Sequence, residues 1–260
     1  MQHDREKKIK EGCDCLNAGR FDGAIEIFSR VLESTPADDE VLNYLGLALS
    51  GKGDFDRAID YFDQALRHNP DLCQAYLNRG NAWANKGDVE HAITDYSTVL
   101  NIRPDDEIAY SHRGQCHAGN GDYKKAIGDY DKALALNPKR EETYFNRGFA
   151  RMKTGDDHGA IKDFTETIGL NPREPDAFLN RAISKLKLGD LDGAIADFTS
   201  ATDINPNLAF AYYYRSVSLS QKGLFQKALN DAYRALELDP LDRRYQMLAD
   251  SLELKIEKST

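Results

Sequence analysis

Apolar positions along this chain follow a helical stripe that ends and then begins again. Ala92, Ile93, Tyr96, Val99 and Leu100 stand at i, i+3/i+4, i+7 spacing, which predicts one face of an amphipathic helix. Upstream, Tyr76, Gly80 and Trp83 fall at helical spacing within Cys73 to Lys86, which predicts a first helix. Gly87 lies between the two, where a left-handed residue ends a helix at little steric cost. Asp88 stands at the N-cap of the second helix, and Pro104 stops it. Gly80 and Ala92 are small residues, expected where two helix backbones approach closely.

This helical hairpin recurs on a clock. Pro36, Pro70, Pro104, Pro138, Pro172, Pro206 and Pro240 are each 34 residues apart. Gly19, Gly53, Gly87, Gly121, Gly155, Gly189 and Gly223 keep the same step, as do Ala24, Ala58, Ala92, Ala126, Ala160, Ala194 and Ala228. The frame gives one array over 5–242, divided as 5–38, 39–72, 73–106, 107–140, 141–174, 175–208 and 209–242. Residues 243–260 follow as a capping helix and tail, with Tyr245, Leu248, Leu252 and Ile256 on one face. A single hairpin cannot bury enough surface alone, so stacked neighbours must complete each core.

The stretches GDFDRAIDYFDQALRHNP at 53–70 and GDYKKAIGDYDKALALNP at 121–138 carry the resemblance to a known family. With their counterparts in phase over 5–242, they resemble the tetratricopeptide repeat. The resemblance implies an all-α, right-handed superhelical solenoid of seven helix-turn-helix repeats. First helices would line a concave groove and second helices the outer face. It also implies a non-enzymatic scaffold that binds a segment of a partner protein, although members of the family bind many unrelated partners.

Composition narrows the partner. The chain has 260 residues, 30% of them charged, with a net charge of −9. Residues 1–72 hold nine basic against fifteen acidic side chains. That balance lacks the basic footprint of a nucleic-acid binder, and partner flanks running toward the first repeats are expected to be basic. No segment approaches the ~18 consecutive apolar residues of a membrane span. The start MQHDREKKIKEG has no apolar core of a signal peptide, so a cytoplasmic protein is expected, with a trimmed export signal as the alternative. Four cysteines show no metal-type spacing, and Cys116 takes the phase of Ala82 and Ala150. His112 and Cys116 are four apart on one helix, the sole hint of a metal-dependent enzyme. A structural zinc site needs four ligands, so no metal and no cofactor are expected.

Two features of the repeat phases carry candidate function. Arg79, Arg113, Arg147, Arg181 and Arg215 occupy the seventh position of repeats three to seven. Asp95, Asp129, Asp163, Asp197 and Asp231 occupy the twenty-third. Repeats one and two lose both, with Glu11 and Ile27, then Leu45 and Tyr61. Joint loss predicts an Arg–Asp ladder inside the hairpins, because buried arginine is best tolerated beside a carboxylate. The competing reading is five arginines lining a groove for acidic ligands.

The groove phases implied by the resemblance hold Asn43, Asn78, Asn81, His112 and Gln115 in repeats two to four, and Asn146 and Asn180 beyond. Amides offer donors and acceptors to an extended peptide backbone. In repeats five to seven the phases hold Phe145, Phe149, Ile183, Phe210, Tyr213 and Tyr214. This apolar surface predicts docking of a peptide or helix with large apolar side chains, with homo-oligomerisation through the same repeats as the second reading. The family's carboxylate clamp for acidic chaperone tails is not matched: Ile9, Cys13, Tyr44, Gln74 and Asn78 stand at its places.

Overall fold

The computed structural model describes residues 2–258, and every element among them is helical. A glycine with positive φ, between 68° and 85°, joins the two helices of every repeat (Gly19, Gly53, Gly87, Gly121, Gly155, Gly189 and Gly223). Asp54, Asp88, Asp156 and Asp190 then accept a hydrogen bond from the backbone N–H three residues on, capping the second helix of their repeats.

The chain forms two compact units, Met1–Leu136 and Asn137–Thr260. The first contains α1 (Gln2–Asn17), α2 (Phe21–Ser34), α3 (Asp39–Gly51), α4 (Phe55–His68), α5 (Cys73–Lys86), α6 (Val89–Ile102), α7 (Glu107–Gly119) and α8 (Tyr123–Leu136). The second contains α9 (Glu141–Thr154), α10 (Asp157–Leu170), α11 (Pro175–Lys187), α12 (Leu191–Ile204), α13 (Ala209–Gln221), α14 (Phe225–Leu238) and α15 (Arg243–Glu257). Within each unit every helix packs on its neighbours in sequence, so the hairpins stack as a solenoid. The first helices also touch one another: α1, α3, α5 and α7 in one unit, α9, α11 and α13 in the other. Side chains from successive first helices therefore share one face of each unit.

Aromatic rings fill the space between paired helices. Phe28, Phe62, Tyr96, Tyr130, Phe164 and Phe198 are fully buried. Gly80 sits opposite one of them: a Cβ there would lie 2.8 Å from Tyr96 Cε1. The small residue thus admits a ring, not the neighbouring helix backbone that the sequence reading expected. In the last repeat Ala232 replaces the ring, and Ser216 donates to the Ala228 carbonyl at 2.7 Å.

The Arg–Asp pairs lie inside these hairpins. Arg113 donates from Nε to Asp129 Oδ2 at 2.9 Å and from Nη2 to Oδ1 at 2.7 Å. The same two-pronged contact joins Arg79 to Asp95, Arg147 to Asp163, Arg181 to Asp197 and Arg215 to Asp231. Each guanidinium also lies 5.3–5.7 Å from the centroid of an aromatic ring one turn earlier: Tyr76, Tyr110, Tyr144, Phe178 or Tyr212. Several reach the preceding second helix as well. Arg113 Nη1 donates to Ser97, Arg181 Nη1 to Thr165, and Arg79 Nη1 to Asp63. The arginines are thereby committed to structure, which sets aside the reading of an arginine-lined groove.

A second, exposed ladder joins consecutive repeats. Lys52 pairs with Asp22, Lys86 with Asp56, Lys187 with Asp157 and Lys222 with Asp192. Being exposed, such pairs add about 0–1 kcal/mol each. At the C-terminal end Tyr245 and Leu252 are buried, and Leu248 and Ile256 pack beside the core of the last repeat. The opposite side of this helix is less polar than its sequence suggests, since Met247 is 69% and Leu254 55% exposed.

Candidate functional site

The groove positions divide by depth. Asn43 and Asn78 are buried, and Asn78 donates to Asn43 across 35 residues of sequence at 2.9 Å. Gln74 adds a bond to the Asn78 carbonyl oxygen at 3.1 Å. These amides tie repeat two to repeat three, and burial withdraws Asn43 and Asn78 from any ligand. Asn81, His112 and Gln115 do come together. With Ala84, Asn85, Val89, Tyr96, Cys116 and Gly119 they line a pocket of about 520 Å³ on the first unit. Tyr96 donates its hydroxyl to Asn81 Oδ1 at 2.7 Å, and His112 meets the edge of the Tyr96 ring at 5.6 Å.

Cys116 is buried in the wall of this pocket, and burial pushes its thiol up to about 11. It is therefore protonated and unreactive at neutral pH. Among the described residues no three His, Cys, Asp or Glu side chains come close enough to hold a metal ion. His117, next in sequence, is 13% exposed with Nε2 3.9 Å from Asp129. Burial lowers its pKa below the ordinary value of 6.5, Asp129 pulls it back, and Lys125 and Arg113 lower it further. Tyr44, at the phase of a clamp asparagine, donates to Glu40 at 3.1 Å, and burial pushes its hydroxyl up to about 12.

The second unit presents the apolar face. Phe145, Phe149, Leu179, Ile183, Tyr213, Tyr214 and Val217 are all half-buried, and Phe210 is 45% exposed. Each keeps one side on the protein. Phe145 meets the buried Phe164 edge-on at 5.7 Å, and Tyr214 stacks on Phe198 at 6.1 Å. Phe210, Tyr213 and Tyr214 form a cluster with Tyr245, whose ring lies 6.3 Å from Phe210 and 5.2 Å from Tyr213. Arg244 covers this cluster with its guanidinium 5.1 Å from the Phe210 centroid. At the other side Lys153 sits 5.0 Å over Phe149. Asn146 is half-buried, whereas Asn180 bonds back to its own helix at the Asp176 carbonyl, 2.9 Å. The asparagine series is therefore not a continuous ladder.

Arg244 was missed from the sequence, because it belongs to the cap and not to a repeat. Its phase is that of Phe210 in the preceding first helix, which was the available signal. Among the described residues no helix is long and apolar enough to cross a membrane.

Comparison with known proteins agrees with this architecture. Tetratricopeptide repeat profiles match residues 9–72, 45–107 and 145–209, and a second profile of the same description matches 108–140. The chain belongs to the tetratricopeptide repeat family. Among solved structures, a TPR repeat protein of Cytophaga hutchinsonii aligns over 92% of this chain and 98% of its own, with TM-score 0.76 and 16% identity. YrrB, described as a TPR protein with an unusual peptide-binding site, aligns over 72% and 96%, with TM-score 0.66 and 22% identity. MamA is 26% identical over 64% of this chain and 97% of its own, with TM-score 0.61. No curated protein matches the sequence.

Proposed function

We propose that the chain is a protein-interaction scaffold that binds a peptide segment of a partner on the first-helix face of its second unit. The observation that carries this reading is the row of half-exposed apolar side chains from Phe145 to Val217. A row of this kind exceeds the scattered apolar residues that a surface normally leaves in water. Rings already held on one side by Phe164, Phe198 or Tyr245 lose little rotamer freedom when a ligand covers the other. YrrB is described as peptide-binding, but its likeness to this chain carries the fold, and the case for a peptide rests on these side chains. The work is binding and not catalysis. Four cysteines without a disulfide suit the reducing cytoplasm.

The test is selection of a random displayed peptide library on the whole chain, followed by anisotropy with labelled copies of the enriched peptides. Phe149 and Phe210 are chosen for substitution because they stand on the first and last helices of the row, and Phe210 is 45% exposed. Truncating a buried aromatic anchor costs about 2 kcal/mol or more, so Phe149→Ala/Phe210→Ala should weaken binding more than tenfold while its melting curve still shows a folded chain. Unchanged affinity, or mapping of the peptide to the second helices, refutes the site. A second reading, self-assembly, draws on Met247 and Leu254, which α15 leaves exposed.

A further inference from the structure

Beside the apolar row, at the N-terminal ends of α9 and α11, opens a pocket of about 260 Å³. It is lined by Glu141, Glu142, Phe145, Glu174 and Asp176. Phe145 belongs to both the pocket and the row, so whatever fills one continues into the other. Glu141 accepts from the Asn171 side-chain amide at 3.5 Å, and Glu174 from the Asp176 backbone N–H at 3.3 Å. Both donors are neutral. Glu141, Glu174 and Asp176 enter no ion pair among the described residues.

The acidity is local. Residues 137–260 hold 18 basic and 19 acidic side chains, so this unit is nearly neutral as a whole. Carboxylates in a first turn offset the positive end of a helix. That alone does not require them here, because α13 opens on the same face with no acidic side chain in its first turn. Along one edge of the face the character therefore changes from carboxylates at α9 and α11, through Phe210 at α13, to Arg244 paired with Asp242 at α15.

A ring ringed by carboxylates suits one class of side chain. Lysine and arginine pack an aliphatic stem on an aromatic face and keep a cationic head for carboxylates beyond it. An apolar side chain would match Phe145 while stripping water from the carboxylates, which is unfavourable without a partner charge. An acidic side chain would be repelled.

Resting on the groove reading above, we propose that the Phe145 pocket takes a lysine or arginine side chain of the bound segment. The large apolar residues of that segment lie along Phe149, Ile183 and Phe210. The ligand is a basic–apolar peptide with its positive end at α9, and the confinement of the unpaired carboxylates Glu141, Glu174 and Asp176 to the α9–α11 end fixes its direction along the face.

The experiment uses the same random displayed peptide library on the full chain and then labelled synthetic peptides. Enriched peptides should carry Lys or Arg beside two or more large apolar residues. Glu174→Gln/Asp176→Asn, at side chains on the surface, should weaken them by roughly threefold to tenfold. It should also flatten the loss of affinity with salt. Replacing the basic residue of the peptide by alanine should abolish the difference between the two proteins. Peptides that lose affinity for Phe149→Ala/Phe210→Ala but bind Glu174→Gln/Asp176→Asn unchanged overturn this proposal and leave the groove reading standing. Peptides indifferent to Phe149 and Phe210, or no enrichment at all, overturn both.

Discussion

Replacing Arg113 by leucine should destabilise the first unit and soften the way one histidine responds to acid. Asp129 is only 7% exposed and accepts two hydrogen bonds from Arg113. Among the described residues its one other basic neighbour is His117, 3.9 Å away. Removing one partner of a buried ion pair costs about 3–5 kcal/mol, because the remaining charge is stranded. Arg113→Leu/Asp129→Tyr strands nothing and copies Leu45 and Tyr61, which hold these phases in repeat two, so it should cost about 1 kcal/mol or less. Urea denaturation of the three proteins measures the difference. In the parent chain the pKa of His117 is depressed below 6.5, chiefly by burial. Its contribution is therefore present above that value and is lost as pH falls through the folded pKa. In Arg113→Leu one lowering charge is gone while burial and Lys125 still act, so the folded pKa of His117 should move up toward its ordinary value. The loss on acidification is then smaller than in the parent chain. The deficit of the single variant should narrow between about pH 7.5 and about pH 5.5, and the double variant, which also lacks the raising charge of Asp129, should be at least as acid-sensitive as the parent. A single variant no weaker than the double, or a deficit that ignores pH, refutes the argument.

Amide exchange should be fastest in α1, which has packing partners on one side and surrounds Ile9, Cys13 and Leu16 with charge, and slowest in α5–α8 and α9–α12; uniform protection from α1 to α14 contradicts this. If α15 mediates self-assembly, Met247→Lys/Leu254→Lys should convert a dimer into a monomer by sedimentation; a parent chain that sediments as a monomer at high concentration excludes the second reading.

The period made the hairpins legible, because glycine, alanine and proline return in phase without insertion. The ladder was legible for a different reason. Arg and Asp vanish together in repeats one and two, and a pair lost together is a pair in contact. Depth was not legible. Asn78, Asn146 and Asn180 share one phase, yet Asn78 is buried against Asn43 while Asn180 folds back on its own helix. A phase says which face a side chain leaves from; its length and the neighbour it finds decide whether it reaches water.

The Phe145 pocket shows where reading by phase must stop. Glu141, Glu142, Glu174 and Asp176 each read, alone, as first-turn or capping residues, and Glu174 does accept from the Asp176 N–H. Nothing in one repeat marks them as a set. Stacking α11 on α9 brings the cap of one repeat against the first turn of the one before it and adds a ring that is neither core nor free. A repeat fold generates such composite sites at each junction, and the residues that differ between copies set their chemistry. Those differences put amides and a histidine at one pocket of the first unit and carboxylates around phenylalanine in the second. The invariant positions hold the solenoid together, so discrimination between partners must reside in the positions where the seven copies disagree.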